Sequence, residues 1–152
     1  MTCEFLAGDG VMFSTWGEPS MHDVDNGMLC LKMVYEKTGR PIVYITRVPI
    51  GASAPAPNVR QYLNSKMPLV TTMCESYHVV LEGVGFVAAM KRGVLVSIFQ
   101  ISHRRNTFFV HSSVDEVEQK VLPERRNVVR AVLRQAFAQG LLNSDAPASR
   151  VA

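Results

Sequence analysis

The feature that most constrains the fold is the alternation of short apolar runs with longer helical patterns from Cys3 to Pro123. Short β-type runs predict strands, and apolar residues spaced three or four apart predict helices. The predicted strands are Cys3–Leu6, Val11–Trp16, Ile42–Val48, His78–Leu81 and Thr107–His111. Helical patterns separate all but the first two strands. The sequence therefore predicts an α/β fold with a single mixed sheet of about five strands and crossover helices.

Turn and cap residues set the first element boundaries. The Asp9-Gly10 pair between two β-type runs predicts a hairpin, because such a turn needs positive φ. Ser20 is predicted to cap the first helix, with Asp23 in the place of the capping-box acid. Gly39, followed closely by Pro41, predicts the end of that helix.

The later helices differ in character. A second helix is predicted near Asn58–Glu75, where Pro68 should kink it or fall in the opening turn of a restarted helix. The next, Phe86–Ser102, is apolar nearly all the way round, which is typical of a helix covered on more than one side. A short helix is predicted to open at Val114, and a final amphipathic helix spans Glu124–Leu142.

These patterns predict one compact unit with two additions. Residues 1–123 form the α/β domain, and residues 124–142 form an additional C-terminal helix packed on that domain or on a partner. Residues 143–152 are small and polar and contain a proline, so a flexible tail is expected.

Composition excludes several classes of protein. A net charge of +3 over 152 residues is too weak for the basic patch of a nucleic-acid binder, so none is expected as a partner. Apolar stretches stay below the roughly 18 residues of a membrane span, and residues 1–10 lack a basic leader, so a cytoplasmic location is expected. The three cysteines include no Cys-x-x-Cys pair, which predicts reduced, buried thiols rather than disulfides or zinc ligands.

Motifs for chemistry are weak. Gly83-x-Gly85 stands between a predicted strand and a predicted helix, which suggests either a ligand-facing turn or, more simply, a tight connection. His78 is expected to pack or hydrogen-bond locally. Neither a P-loop motif nor a Gly-x-Ser-x-Gly motif occurs. We therefore expect no catalytic residue, no metal site and no cofactor.

The loop after the third strand is the strongest candidate for binding. In an open α/β sheet, ligands and partners bind at the carboxyl ends of the parallel strands. Gly51 and Ser53 lie in this loop, and Arg60 follows at the start of the next helix. These three residues are predicted to form a partner-binding or regulatory loop, with a solvated connector as the alternative.

The order of elements resembles the STAS family, which includes the bacterial anti-sigma-factor antagonists and their SpoIIAA-like relatives. The resemblance covers Cys3–Leu122 and rests on the opening hairpin, the Gly39-Arg40-Pro41 lead into the third strand and the Gly83-Val84-Gly85 turn. Antagonists of this family carry Asp-Ser-Ser/Thr-Gly, with a phosphorylatable serine, after the third strand. The matching loop here is Pro49-Ile50-Gly51-Ala52-Ser53-Ala54, without that Asp or the following Ser/Thr-Gly.

The resemblance implies a non-enzymatic regulatory module of a bacterial signalling pathway that contacts a protein partner. Two alternatives stay open. One is a protein that binds a small hydrophobic ligand or lipid in a cavity beneath the apolar helix Phe86–Phe99, and the other is a small α/β enzyme. The same apolar helix and the additional C-terminal helix predict a homodimer.

Overall fold

The chain folds around a sheet whose strands come from both halves of the sequence, as seen in a computed structural model that describes residues 3–49, 51–52, 55–82 and 108–142. The strands are β1 (Glu4–Ala7), β2 (Val11–Thr15), β3 (Ile42–Val48), β4 (Cys74–Leu81) and β5 (Phe108–His111). The helices are α1 (Met21–Thr38), α2 (Pro57–Met73) and α3 (Arg126–Ala138), with 3-10 helices at Val114–Lys120 and Pro123–Arg125.

The sheet is mixed. Its strands lie in the order β1-β2-β3-β4-β5, with β1 antiparallel to β2 and the other neighbours parallel. The predicted fold class, one mixed sheet of about five strands with crossover helices and a C-terminal helix, is confirmed. Because β2 to β5 are parallel, their carboxyl ends meet at one edge of the sheet, which we call the carboxyl edge.

The first turns follow the predicted chemistry. Gly10 has φ +74° in the turn between β1 and β2, so the expected positive φ is confirmed. Ser20 caps α1 by accepting from the Asp23 amide, and the Asp23 carboxylate accepts from the Ser20 amide. Gly39 ends α1 with φ +66°, and its amide donates to the Tyr35 carbonyl at 2.8 Å.

The boundary between α2 and β4 differs from the prediction. The helix is continuous through Pro68 and ends at Met73, and β4 begins at Cys74 rather than at His78. No turn residue separates the two elements, so the sequence gives no sign of the boundary. The polar residues Glu75 and Ser76 are accommodated in the strand because Arg125 and His78 bind their side chains.

Alternate strand residues build two cores, one on each face of the sheet. Met12, Ile42 and Tyr44 face α1 and α2. Val11, Phe13, Val43, Ile45 and Val80 face the C-terminal elements. Both faces of β2 and β3 are therefore buried, as expected for nearly continuous apolar strands between two layers.

The C-terminal helix belongs to this second layer. Val129, Val132 and Ala136 of α3 are buried in the core that contains β2 and β3. A Cβ at Gly8 would lie 2.5 Å from Val132 Cγ2, so the helix approaches the first hairpin closely. The helix is shorter than predicted: its first turn, Pro123–Arg125, is a 3-10 helix, and α3 ends at Ala138. The short helix at Val114 is also a 3-10 helix.

Several predictions concern residues outside those described. They are Ser53, the Gly83-x-Gly85 turn, the apolar helix Phe86–Ser102 and the tail 143–152.

Candidate functional site

A pair of histidines on neighbouring strands forms the centre of the candidate site. His78 on β4 and His111 on β5 are both buried, at 0% and 4% exposure. In the strand register His78 lies opposite Phe109 and Val80 lies opposite His111, so the two histidines are diagonal neighbours. Their rings stack with centroids 5.1 Å apart and planes within 14° of parallel.

A hydrogen bond extends this pair to Ser76, and an ion-pair contact extends it to Glu116. His78 Nδ1 lies 2.9 Å from His111 Nε2, and His78 Nε2 lies 2.9 Å from Ser76 Oγ. His111 Nδ1 lies 3.6 Å from Glu116 Oε2, on the 3-10 helix Val114–Lys120. We call these four side chains the histidine chain. The expectation that His78 hydrogen-bonds locally is confirmed by its bond to Ser76.

The Glu116 carboxylate gives the histidine chain a direction. The negative Glu116 carboxylate lies 3.6 Å from His111 Nδ1 and favours a hydrogen on that nitrogen, which makes His111 Nε2 the acceptor. His78 Nδ1 then donates to His111 Nε2, and His78 Nε2 accepts from the Ser76 hydroxyl. One set of neutral tautomers thus satisfies both nitrogens of His78 and Nε2 of His111, and Nδ1–H of His111 faces the carboxylate.

Glu116 is itself held in place. The Ser112 hydroxyl donates to Glu116 Oε1 at 2.6 Å, and the Ser112 amide donates to Oε2 at 3.2 Å. The hydrogen bond from the Ser112 side chain is the main reason why the pKa of Glu116 is lowered. The carboxylate is therefore anionic at neutral pH and faces solvent with 45% of its side chain exposed.

Burial keeps both imidazoles neutral. It lowers the pKa of His78 from 6.5 to about 3, and the neighbouring His111 adds to the shift. Burial also lowers the pKa of His111, although the Glu116 carboxylate opposes this effect. Two neutral imidazoles therefore connect the buried Ser76 hydroxyl to the surface carboxylate of Glu116.

The arrangement resembles an activated serine, with a base and an orienting acid. Ser76, however, is only 6% exposed and lies in the amino-terminal half of β4, away from the carboxyl edge where ligands of α/β sheets bind. The histidine chain can hold and pass protons between Ser76 and Glu116. A substrate of a catalytic serine, by contrast, would have to reach the buried Ser76 hydroxyl.

The carboxyl edge holds a buried ion pair. Arg47, near the end of β3, donates from Nε to Glu82 Oε1 at 2.8 Å and from Nη2 to Oε2 at 3.4 Å. Its Nη1 donates to the Leu141 carbonyl at 3.3 Å. Arg47 therefore joins β3 to the residue after β4 and to the segment after α3.

The predicted partner-binding loop begins at this edge. Gly51 and Arg60 are both exposed, Gly51 after β3 and Arg60 in the first turn of α2. Ser53 between them lies outside the described residues, and so do Gly83 and Gly85.

Exposed apolar side chains lie on α1 and α2. Leu29 and Met33 of α1 are 59% and 63% exposed, and Leu69 of α2 is 50% exposed. We call these three residues the apolar strip. Isolated exposed apolar residues are common, but Leu29 and Met33 are one helical turn apart and so lie on the same side of α1.

The cysteines show no sign of activation. Cys74 is buried, and Cys3 and Cys30 are half-buried and free. Burial and the nearby Asp23 raise the pKa of Cys3 to about 11, and burial raises that of Cys74 to about 12. These thiols are therefore protonated at neutral pH and are poor nucleophiles and metal ligands.

Among residues 3–49, 51–52, 55–82 and 108–142, no three His, Cys, Asp or Glu side chains converge as a metal site. None of the helices described is long and apolar enough to cross a membrane. Comparison with protein-family models, curated proteins and solved structures found no significant match.

The histidine chain is not evident in the sequence. Both histidines are predicted to lie in strands, but their pairing depends on how β5 is registered against β4. The distance of five residues from His111 to Glu116 is a signal that could have been found, since a short helix was predicted from Val114.

Proposed function

We propose that this chain is a non-enzymatic regulatory module of the STAS-like type, which acts by contacting a partner protein. The observation that carries the proposal is the apolar strip on the outer surface of the α1–α2 layer. Large exposed apolar side chains grouped on one face are typical of protein interaction sites. The element order and the antiparallel first strand agree with the resemblance to that family.

Met33 and Leu69 of the apolar strip lie at a similar height on the two helices, and Leu29 lies one turn before Met33. Tyr62 of α2 donates its hydroxyl hydrogen to the carboxylate of Asp25 on α1, which aligns the helices at that level. Met33 lies eight residues beyond Asp25 and Leu69 seven beyond Tyr62. Because α1 and α2 both run away from the carboxyl edge, these residues lie about 12 Å and about 10 Å further along.

Exposed charges surround the strip. Lys32 and Glu36 are exposed on α1, and Arg60 is exposed where α2 begins. An apolar centre with a polar rim is the usual composition of a protein interface. We therefore place the partner on the α1–α2 layer, with Arg60 at the end nearest the carboxyl edge.

The proposal is tested with matched variants of the strip. The tagged chain is recovered from the organism that encodes it, and co-purifying proteins are identified by mass spectrometry. The affinity of each purified candidate is then measured by calorimetry for the wild type and for Leu29→Lys/Met33→Lys. Burying an anchor residue contributes on the order of 2 kcal/mol, so we expect the double variant to lose roughly 100-fold or more in affinity.

Lys32→Ala on the same helix is the control, because a charge at the rim contributes little. We expect its affinity to stay within about threefold of the wild type. A partner that binds the double variant as tightly as the wild type would show that the apolar strip is not the contact surface.

A further inference from the structure

The histidine chain lies on the face of the sheet away from α1 and α2, so the proposed interaction surface does not use it. It joins three successive structural elements: Ser76 and His78 come from β4, His111 from β5, and Glu116 from the 3-10 helix after β5. Buried titratable groups that bridge elements make the contact between those elements depend on protonation.

We propose that the histidine chain is an acid-sensitive latch. It holds β5 and the following 3-10 helix Val114–Lys120 against β4 while the two imidazoles together carry fewer than two extra protons, and it releases them when both imidazoles are protonated.

The histidine chain can accommodate one added proton. When His111 becomes an imidazolium, its Nε2–H donates to His78 Nδ1, and its Nδ1–H still points to the Glu116 carboxylate. His78 then changes tautomer, and its Nε2–H donates to Ser76 Oγ. Both hydrogen bonds of His78 are kept with their direction reversed, and the new charge on His111 lies beside the Glu116 carboxylate.

A second proton cannot be accommodated. His78 Nδ1 and His111 Nε2 would both carry hydrogens across a separation of 2.9 Å, so two donors would face each other. Two positive rings would also stack at 5.1 Å in a buried site. Charge repulsion and loss of the hydrogen bond act together, and separating β5 from β4 relieves both.

The charged groups around the pair decide which ring is protonated first. On the 3-10 helix, Glu116 favours a proton on His111 and Lys120 opposes it. On β4 the neighbouring Ser76 is neutral, and the Glu75 carboxylate is bound by Arg125 at 2.8 Å. His111 is therefore protonated first and His78 second.

The direction of the pH effect follows from proton counting. An unfolded or locally opened chain has histidines near pKa 6.5, whereas burial and His111 hold His78 near 3. Below pH 6.5 the open state binds more protons, so opening becomes easier as pH falls. At pH 5 the low pKa of His78 alone favours the open state by a factor of about 30, compared with a pH well above 6.5.

The first test uses the wild-type chain and follows the ring nitrogens of His78 and His111 by NMR from pH 8 to pH 4.5. We expect His78 to stay neutral in the folded protein down to pH 5 and to change tautomer as His111 takes up its proton. A folded His78 imidazolium above pH 6 would overturn the proposal.

The second test locates the opening by hydrogen exchange with mass spectrometry, corrected for the intrinsic effect of pH on exchange. Between pH 6.5 and pH 5, we expect residues 108–120 to lose about 15-fold or more in protection relative to residues 24–37 of α1. Equal changes in the two segments, or no change, would contradict a latch.

Variants assign the effect to the imidazoles. His78→Phe/His111→Phe keeps two stacked rings and removes both titrating groups. Both residues are replaced because replacing both partners of a hydrogen bond lowers stability less than removing one. We expect the double variant to lose the extra pH-dependent exchange and the exposed control His22→Phe to retain it. If the folded double variant retains the extra pH-dependent exchange, its assignment to the two imidazoles is refuted. If that variant does not fold, the NMR titration of the wild type decides.

Discussion

Arg47 illustrates how single residues organise the carboxyl edge. Its guanidinium is buried and binds Glu82 through two nitrogens, while the third reaches the Leu141 carbonyl. A buried ion pair adds little net stability relative to apolar residues of the same size, but removing one partner leaves an unpaired charge inside the protein. The contribution of this pair is therefore to fix the relative positions of β3, the residue after β4 and the segment after α3.

We predict that Arg47→Met lowers the free energy of unfolding by about 3 kcal/mol, because Glu82 then remains buried without its cation. Urea unfolding followed by circular dichroism measures the change. The double variant Arg47→Met/Glu82→Leu should recover most of the loss. Arg130→Ala, which breaks the exposed pair with Glu118, is the control and should leave the midpoint unchanged. Equal effects of the buried and the exposed substitutions would contradict this account.

At the level of elements, α3 is part of the core. Its amphipathic pattern left two possibilities open in the sequence, a contact with its own domain or with a partner. Val129, Val132 and Ala136 are buried in the core that contains residues of β2 and β3, so the apolar face is covered within the chain. The exposed side carries Arg126, Arg130 and Arg134, of which the first two contact Glu118 on the preceding 3-10 helix.

We predict that Val129→Ala lowers the free energy of unfolding by about 2 kcal/mol, because a fully buried side chain is replaced by a cavity beside the sheet. Urea unfolding of the variant measures the loss. Arg134→Ala, exposed on the same helix, should leave the unfolding midpoint unchanged. A small effect at Val129 would mean that α3 contributes little to the stability of the sheet.

Elements with strong local signals were predicted well, and those that depend on distant partners were not. The bounds of β3, Ile42–Val48, match because the strand is a continuous β-type run between a proline and a proline-rich loop. The start of β4 was missed because its polar residues are satisfied by Arg125 and His78, which the sequence does not place nearby. The candidate site was missed for the same reason, since the diagonal pairing of His78 with His111 exists only in the assembled sheet.

At the scale of the whole molecule, the prediction of a homodimer rested on two features. The first, the apolar face of the additional helix, is buried within the chain itself. The second, the segment Phe86–Ser102, lies outside the described residues. The homodimer therefore remains a prediction that rests on this segment and is independent of the apolar strip on α1 and α2.

We expect light scattering after size exclusion to give a mass near twice 16.8 kDa at tens of micromolar protein. Leu29→Lys/Met33→Lys should keep that mass, because its substitutions lie on the surface assigned to the partner. A wild-type mass near 16.8 kDa would refute the homodimer. A mass that halves only in the variant would show that a second copy occupies the apolar strip.

The position of α3 at the end of the described chain has a consequence for biosynthesis. Ile45 and Ala136 belong to the same core, yet 91 residues of translation separate them. At typical ribosomal rates this is a delay of roughly 5 to 18 s, during which the apolar face of β2 and β3 is not yet covered by α3. This core is therefore completed only after α3 has been translated, and until then the nascent chain exposes apolar surface of the kind that chaperones bind.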